Sequence, residues 1–315
     1  MSRFRGSHLF AVLALGSIAF VWAGGFPATK YCLNGGLSVG ALLSLRFVIG
    51  TAGLGLFMFI LRIPIPRQAA LDGLWLGLVL ATLFWLQTDG LRFTSTSKSG
   101  FITGLYVIFT PMVALLVGDR LRLSHGLGAL VALTGLILLV REPGAAFGGW
   151  TRGDSETLLA AVLCGFHIVM TAHFSRRSSG WVLAFMQVAV TGAISLAITF
   201  ALPSPYGFQG ALPILARPGI WVALVFMGLL ATTLAFYVQS TMQARLGATE
   251  SAIIFSSEPV WTALLAISGW IPGIQEHLSP IQFLGGGLIL SATLVAEFGS
   301  RLLRRFHPEP EGNIG

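Results

Sequence analysis

The chain has 315 residues, 55% of them hydrophobic and 10% charged, where a soluble domain carries about 25% charged residues. Together with a mean hydropathy of +0.82, this excludes an ordinary soluble globular protein. The net charge of +7 invites a nucleic-acid partner, which the distribution of the basic residues argues against. Apolar runs of membrane-spanning length, about 20 residues each, predict helices over 8–28, 38–61, 71–90, 98–117, 123–141, 156–174, 181–202, 218–241, 249–271 and 280–299. The fold class expected is an all-α membrane protein of ten transmembrane helices. The first run imitates a signal peptide, basic then apolar then small. It reads as the first span because "VWAGGFPATKY" continues the helix and nine runs follow.

The connections hold most of the Pro, Gly and charge. With the N-terminus in the cytoplasm, the inside holds Arg3, Arg5, Arg62, Arg67, Arg120, Arg122, Arg176, Arg177, Arg245, Arg301, Arg304 and Arg305. The outside holds Lys30, Arg92, Lys98, Arg141, Arg152 and Arg217, leaving Arg46 alone within a span. Twelve against six is the positive-inside bias. It places both termini in the cytoplasm and explains the basic balance by topology, with no nucleic acid. Cys32 and Cys164 form no CxxC, so neither a disulfide framework nor a zinc site is expected. The segment 301–315 reads as a polar cytoplasmic tail, "HPEPEGNIG" at its end.

The chain repeats itself. "TSKSGFITGLYVIFTPMVALL" from Thr96 parallels "TESAIIFSSEPVWTALL" from Thr249. Aligning Lys98 with Glu250 and Pro111 with Pro259 makes the first copy four residues longer between them, about one helical turn. Both prolines read as helix breaks, with Thr110 opposite Glu258. "DRLRLSHGLG" from Asp119 parallels "EHLSPIQFLG" from Glu276, and weaker matches set Trp22 opposite His167 and Arg46 opposite Gln187. The halves 1–145 and 150–300 each hold five spans. Five is odd, so the second half enters the bilayer from the opposite side. The result is an inverted repeat, an architecture of many secondary transporters.

Taken together, "FVWAGGF", Arg46, "TSKSGFITGLYVIFTPMVALLVGDRL" and "ATESAIIFSSEPVWTALL" resemble the drug/metabolite transporter superfamily over residues 8–300. Within it the chain resembles the EamA-type exporters, the YddG-type amino-acid exporters most of all. That resemblance implies export of amino acids or similar small metabolites across the bacterial inner membrane, through a cavity between the halves. The segment "ISGWIPGIQEHLS" is longer than its first-half counterpart "GDRLRLS".

Glu258 lies nine residues into its span, about 13 Å deep, where insertion of a charge costs about 2.5–3.5 kcal/mol. Pro259 frees a carbonyl one turn back, and a broken membrane helix is tolerated where it faces a cavity or other helices. Glu258 therefore reads as lining a cavity, holding a substrate ammonium or a proton, or as pairing with a buried cation. Arg46 keeps its charge and needs a carboxylate, carbonyls, water or an anionic ligand group. The two residues would suit the two ends of an amino acid. Lys98 and Glu250 occupy matching helix starts, as a gate or as interfacial anchors. His167 is a mid-span proton relay or a neutral hydrogen-bonding group. Trp22, Trp85, Tyr106, Tyr237 and Trp261, with Gln87 and Gln239, complete the substrate-binding set. Glycine pairs Gly73/Gly77 and Gly100/Gly104 permit close helix approach.

No HExxH, nucleophile–base or Walker motif is present, so neither an enzyme nor direct ATP drive is expected, and no cofactor or metal. The partners expected are a small-molecule substrate and the lipid bilayer. Helices 123–141 and 280–299, rich in small residues, would stand at the periphery of a monomer or weak homodimer. The alternatives are a multidrug or nucleotide-type metabolite transporter of the same fold, a channel, and an intramembrane enzyme.

Overall fold

The computed structural model describes residues 2–118, 123–139, 149–203 and 205–306. Asp119, Arg120, Arg122, Arg141 and the tail beyond residue 306 lie outside the described residues, as do the side chains of Arg3, Arg5, Arg301, Arg304 and Arg305. Every regular element among the described residues is helical: α1 (Ser2–Asn34), α2 (Val39–Ile60), α3 (Arg67–Gly90), α4 (Thr96–Thr103), α5 (Tyr106–Ala114), α6 (Leu123–Leu139), α7 (Arg152–Phe174) and α8 (Gly180–Ala201). Then follow α9 (Ala211–Leu215), α10 (Pro218–Val225), α11 (Ala235–Leu246), α12 (Ala248–Phe255), α13 (Glu258–Ser268) and α14 (Pro280–Phe306). Seven continuous or nearly continuous helices are long and apolar enough to cross a membrane, and α6 and α14 contribute shorter apolar segments.

Local chemistry sets the boundaries. Ser38 caps α2 by accepting from the Ala41 N–H at 3.1 Å. Thr151 and Asp154 form a reciprocal capping box on α7. α11 and α12 are separated only by Gly247, whose φ of +81° is open to glycine at no steric cost. α1 outruns the expected 8–28 and passes through Pro27, as membrane helices do when neighbours satisfy the freed carbonyl. α14 runs on to Phe306.

The expected break at Pro111 is corrected. The first interruption lies at Gly104–Leu105, ahead of Tyr106, while Pro111 sits inside α5. The second lies at Ser256–Ser257, with Pro259 in the first turn of α13. Both pairs of half-helices are therefore related by a constant offset of 152 residues, since Thr96 pairs with Ala248 and Tyr106 with Glu258. No four-residue insertion is needed, and the residue opposite Glu258 is Tyr106, not Thr110. Pro111 lies in the interior of α5, where it forfeits one backbone hydrogen bond without ending the helix, as packed membrane helices allow. Pro259, in the first turn of α13, has no such bond to lose.

The span from Pro218 to Leu246 is not one straight α-helix. Between α10 and α11, Phe226–Leu234 is a π-helix. Thr233 Oγ1 donates at 3.1 Å both to Gly228 O, five residues back, and to Gly50 O on α2. Close contact enforces this geometry: a Cβ at Gly53 would come within 2.6 Å of Thr233 Oγ1, and one at Gly228 within 2.7 Å of Ile49 Cβ. A π segment inside an α-helix is often a mark of a functional site.

Helices of the two halves pack across one another: α3 on α7 and α8, α2 on α8 and the π segment, α1 on α11 and α13, and α4 on α13. Glycines set these crossings. A Cβ at Gly77 would meet Val190 at 2.6 Å, and one at Gly100 would meet Thr262 at 2.7 Å. α6 and α14 pack mainly on each other, with Gly135 against the Gly285 carbonyl. Outward positions such as Phe59, Leu116, Leu130 and Val222 are apolar and exposed, as a surface bathed in hydrocarbon requires. Two apolar cores fill the bundle, and Trp22 packs against both. The seam between them holds the cavity.

Candidate substrate site

At the seam the two α4/α5 and α12/α13 interruptions bring unlike residues together. Tyr106 and Glu258 each open a second half-helix, where the positive end of the helix dipole favours a carboxylate. The Tyr106 hydroxyl donates to Glu258 Oε2 at 3.4 Å, a long bond. No cation pairs with Glu258 among the described residues, although only 8% of it is exposed.

Arg46, on α2, lines the same cavity as Glu258 and is held by the π segment. Its Nε donates to Thr232 Oγ1 at 3.0 Å and its Nη2 faces Ala231 O at 3.5 Å. The guanidinium lies over the Phe84 ring, 4.5 Å from its centre, and 5.5 Å from that of Phe47. Stacking suits a planar, weakly hydrated cation. No carboxylate of the described residues pairs with it.

His167, on α7, shares a 2.6 Å hydrogen bond from Nε2 to Gln187 Oε1, and Gln187 Nε2 donates to Ser240 Oγ at 3.1 Å. With the amide so oriented, Nε2 carries the proton and Nδ1 is left without a partner among the described residues. Gln87 donates to Thr103 Oγ1 at 3.2 Å. The Gln239 carbonyl has no hydrogen-bond partner, although the side chain is 2% exposed. Trp22 donates to Ala231 O at 3.0 Å and sets its ring against Phe236 and Phe255, centroids 5.7 and 5.2 Å away.

Trp22, Arg46, Gln87, Tyr106, His167, Gln239 and Glu258 thus line one cavity, together with Phe84, Phe236 and Phe255. About 750 Å³ is unfilled by atoms, counting space open to the outside, and the centre of a water molecule reaches about 80 Å³ of it. That admits a few waters. Three expected members are elsewhere. Trp85 donates to Ser195 Oγ at 3.2 Å, Tyr237 stacks on Trp181 at 3.8 Å, and Trp261 is 40% exposed, edge-on to Phe20.

Phe84, Phe236, Phe255 and Gln187 went unpredicted. Tyr237 is picked out by residue type and depth within the span, which do not fix which face of α11 meets the cavity. A 3.6-residue count back from Gln239 points to Phe236.

Beyond the cavity, polar contacts tie together the segments around the start of α4. Lys98 Nζ meets Asp154 Oδ2 at 2.7 Å and also donates to Gly149 O. Asp154, fully buried, accepts from Thr94 Oγ1 at 2.6 Å and from the Thr151 N–H at 2.7 Å. Glu276 accepts from the Thr96 and Ser97 N–H groups at the start of α4. Lys30 donates to the Leu91 and Thr94 carbonyls at 2.7 and 2.9 Å. Asp89 pairs with Arg92 and Arg152, both at 2.7 Å.

The end where α12 begins is tied more loosely. Glu250 meets His8 at 2.9 Å with both side chains largely exposed, so Lys98 and Glu250 have different partners. Asp72 binds Arg177 at 2.6 Å and Ser178 at 2.7 Å. The hydrogen bonds to Asp72 push the Arg177 guanidinium above its ordinary pKa. No group of His, Cys, Asp and Glu suited to a metal occurs among the described residues.

Known proteins fit this picture. A transporter of Archaeoglobus fulgidus with no characterised substrate is 29% identical over 91% of this chain and 86% of its own length. The aromatic amino acid exporter YddG of Ancylobacter novellus is 26% identical over 81% of this chain and 88% of its own. The uncharacterised transporter YdfC of Bacillus subtilis is 24% identical over 84% of each. One crystal structure superposes with a TM-score of 0.66 at 21% identity, covering 92% of this chain and 98% of that one, which is a likeness of fold. The profile of the EamA-like transporter family matches residues 9–141 and again 151–297. The chain belongs to the EamA-like transporter family, within the drug/metabolite transporter superfamily, and is a multi-pass membrane protein.

Proposed function

We propose that this transporter exports amino acids, aromatic and other hydrophobic ones among them, across the bacterial inner membrane by alternating access. The observation that carries the reading is the presence in one cavity of a carboxylate and a guanidinium that are not paired with each other, in a lining that also holds aromatic rings. A zwitterion places its carboxylate at Arg46 and its ammonium at Glu258, and its side chain against Trp22, Phe236 and Phe255. The named exporter among the relatives supports the substrate class. The constant 152-residue offset of the broken helices and the twofold profile match support two five-helix halves. Read with the basic residues, they support a proposal of ten spans in inverted orientation with both termini cytoplasmic. In this reading Lys98 and Asp154 help hold one end shut, and the narrow cavity widens for a substrate to enter.

Purified protein in liposomes preloaded with unlabelled phenylalanine should accumulate labelled phenylalanine by counterflow. Arg46→Met and Glu258→Gln should each reduce uptake at least tenfold if each end is gripped by a charge-assisted bond worth about 1.5–3 kcal/mol. Uptake indifferent to both substitutions would refute the two-ended grip. A current without saturation would indicate a channel instead.

A further inference from the structure

The two charged groups of the cavity are not equally in need of a ligand. Arg46 already donates to Thr232 Oγ1 and lies on the Phe84 ring. Its charge is stabilised by the protein whether or not a carboxylate arrives. Glu258 is different. One oxygen has the long bond from Tyr106 and the other has no partner among the described residues. Gln239 is 2% exposed, and its carbonyl has no partner among the described residues. His167 lines the same cavity with Nε2 committed to Gln187, which leaves Nδ1 without a partner among the described residues. Buried polar groups without partners are rare in native proteins. The Gln239 carbonyl is such a group; the second Glu258 oxygen and His167 Nδ1 add two acceptors without a partner among the described residues, where no cation pairs with Glu258.

A primary ammonium has three donors and no acceptor, which complements that set. The rings of Trp22 and Phe255, packed together beside it, offer apolar contact to an aromatic side chain and faces to its charge. We propose that Glu258, Gln239 and His167 form an ammonium subsite complete in itself, and that the protein binds and exports aromatic primary amines that carry no carboxylate. This rests on the exporter reading and extends its substrate class. The reverse truncation is disfavoured. A carboxylic acid lacking the amine adds a second anion to a cavity that already holds Glu258 and leaves the free acceptors unserved, a mismatch that strongly disfavours binding.

Three ligands of one shape test this: phenylalanine, phenylethylamine and phenylpropionate. Equilibrium binding of labelled phenylalanine and of labelled phenylethylamine is measured separately on the purified full chain, with phenylpropionate as competitor. The amine should bind within about tenfold of the amino acid, and the acid should compete with neither. Gln239→Leu should weaken both ligands about tenfold or more, as loss of a bond to a charged group does. Arg46→Met should weaken phenylalanine by a similar factor and leave the amine within about threefold. The wild-type comparison needs no variant, so a misfolded variant does not blunt the test. Phenylalanine binding without amine binding overturns this inference and spares the amino-acid reading. Amine binding without phenylalanine does the reverse, and binding of neither overturns both.

Discussion

Asp154→Asn is the sharpest probe of how the bundle closes. Asp154 is wholly buried and serves three donors at once: the Lys98 ammonium at 2.7 Å, the Thr94 hydroxyl at 2.6 Å and the Thr151 N–H at 2.7 Å. Asparagine keeps the shape, removes the charge and leaves a single acceptor oxygen. Lys98, 8% exposed, then keeps only the Gly149 carbonyl. Removing one partner of a buried pair costs about 3–5 kcal/mol, because an uncompensated charge stays behind. The pair joins the start of α4 to the start of α7, across the halves, so opening that end must break it. If only the closed conformation contains it, the substitution shifts the conformational equilibrium by about 10²- to 10⁴-fold toward opening. The assay is maleimide labelling of Ser97→Cys, a buried position beside the pair, with Cys32 and Cys164 replaced by alanine. Labelling should accelerate in Asp154→Asn and fall back in Asp154→Leu with Lys98→Met, where no stranded charge remains. Unchanged labelling with a lowered Tm would refute the gating argument and leave the pair as a plain structural contact.

Other outcomes follow from the same geometry. Trp22→Ala removes a ring that joins both cores and lines the cavity; it should raise the apparent KM for an aromatic substrate. Trp261→Ala, outside the cavity against Phe20, should leave KM unchanged. Gly285→Leu drives a Cβ to 2.5 Å from the Leu139 nitrogen and 2.6 Å from the Gly135 carbonyl. The overpacking cost of about 1–3 kcal/mol should lower Tm in detergent while transport per folded molecule is retained. Tyr106→Phe takes away the one donor to Glu258 among the described residues. Ligand affinity should change in counterflow while Tm moves little, since the bond is long.

Much of the site was readable as residue type. A carboxylate at Glu258 and a guanidinium at Arg46 are costly in hydrocarbon, and cost of that size marks a cavity or a partner. Gln239 and His167 followed from the same reasoning. What was not readable was direction around the helix axis. Tyr237 and Phe236 are adjacent in sequence, yet one stacks on Trp181 and the other lines the cavity. Which face of α11 meets the cavity is not fixed by residue type or depth within the span. Trp85 and Trp261 had the depth of cavity residues but point to other neighbours. The proline at 111 suggested a break that the chain makes seven residues earlier, at Gly104, where a Cβ would come within 2.5 Å of Pro259.

The sequence by itself determined the helical membrane class and the presence of two opposite charges within apolar segments. Those depend on hydropathy, spacing and the cost of charge in lipid, which are local properties of each segment. The tertiary structure alone decided that Arg46 and Glu258 remain unpaired in one cavity, that Tyr106 stands opposite Glu258, and that Lys98 finds Asp154 rather than a matching glutamate. Each of these is set by helix rotation and crossing, which long-range contacts between the halves fix and no single segment encodes.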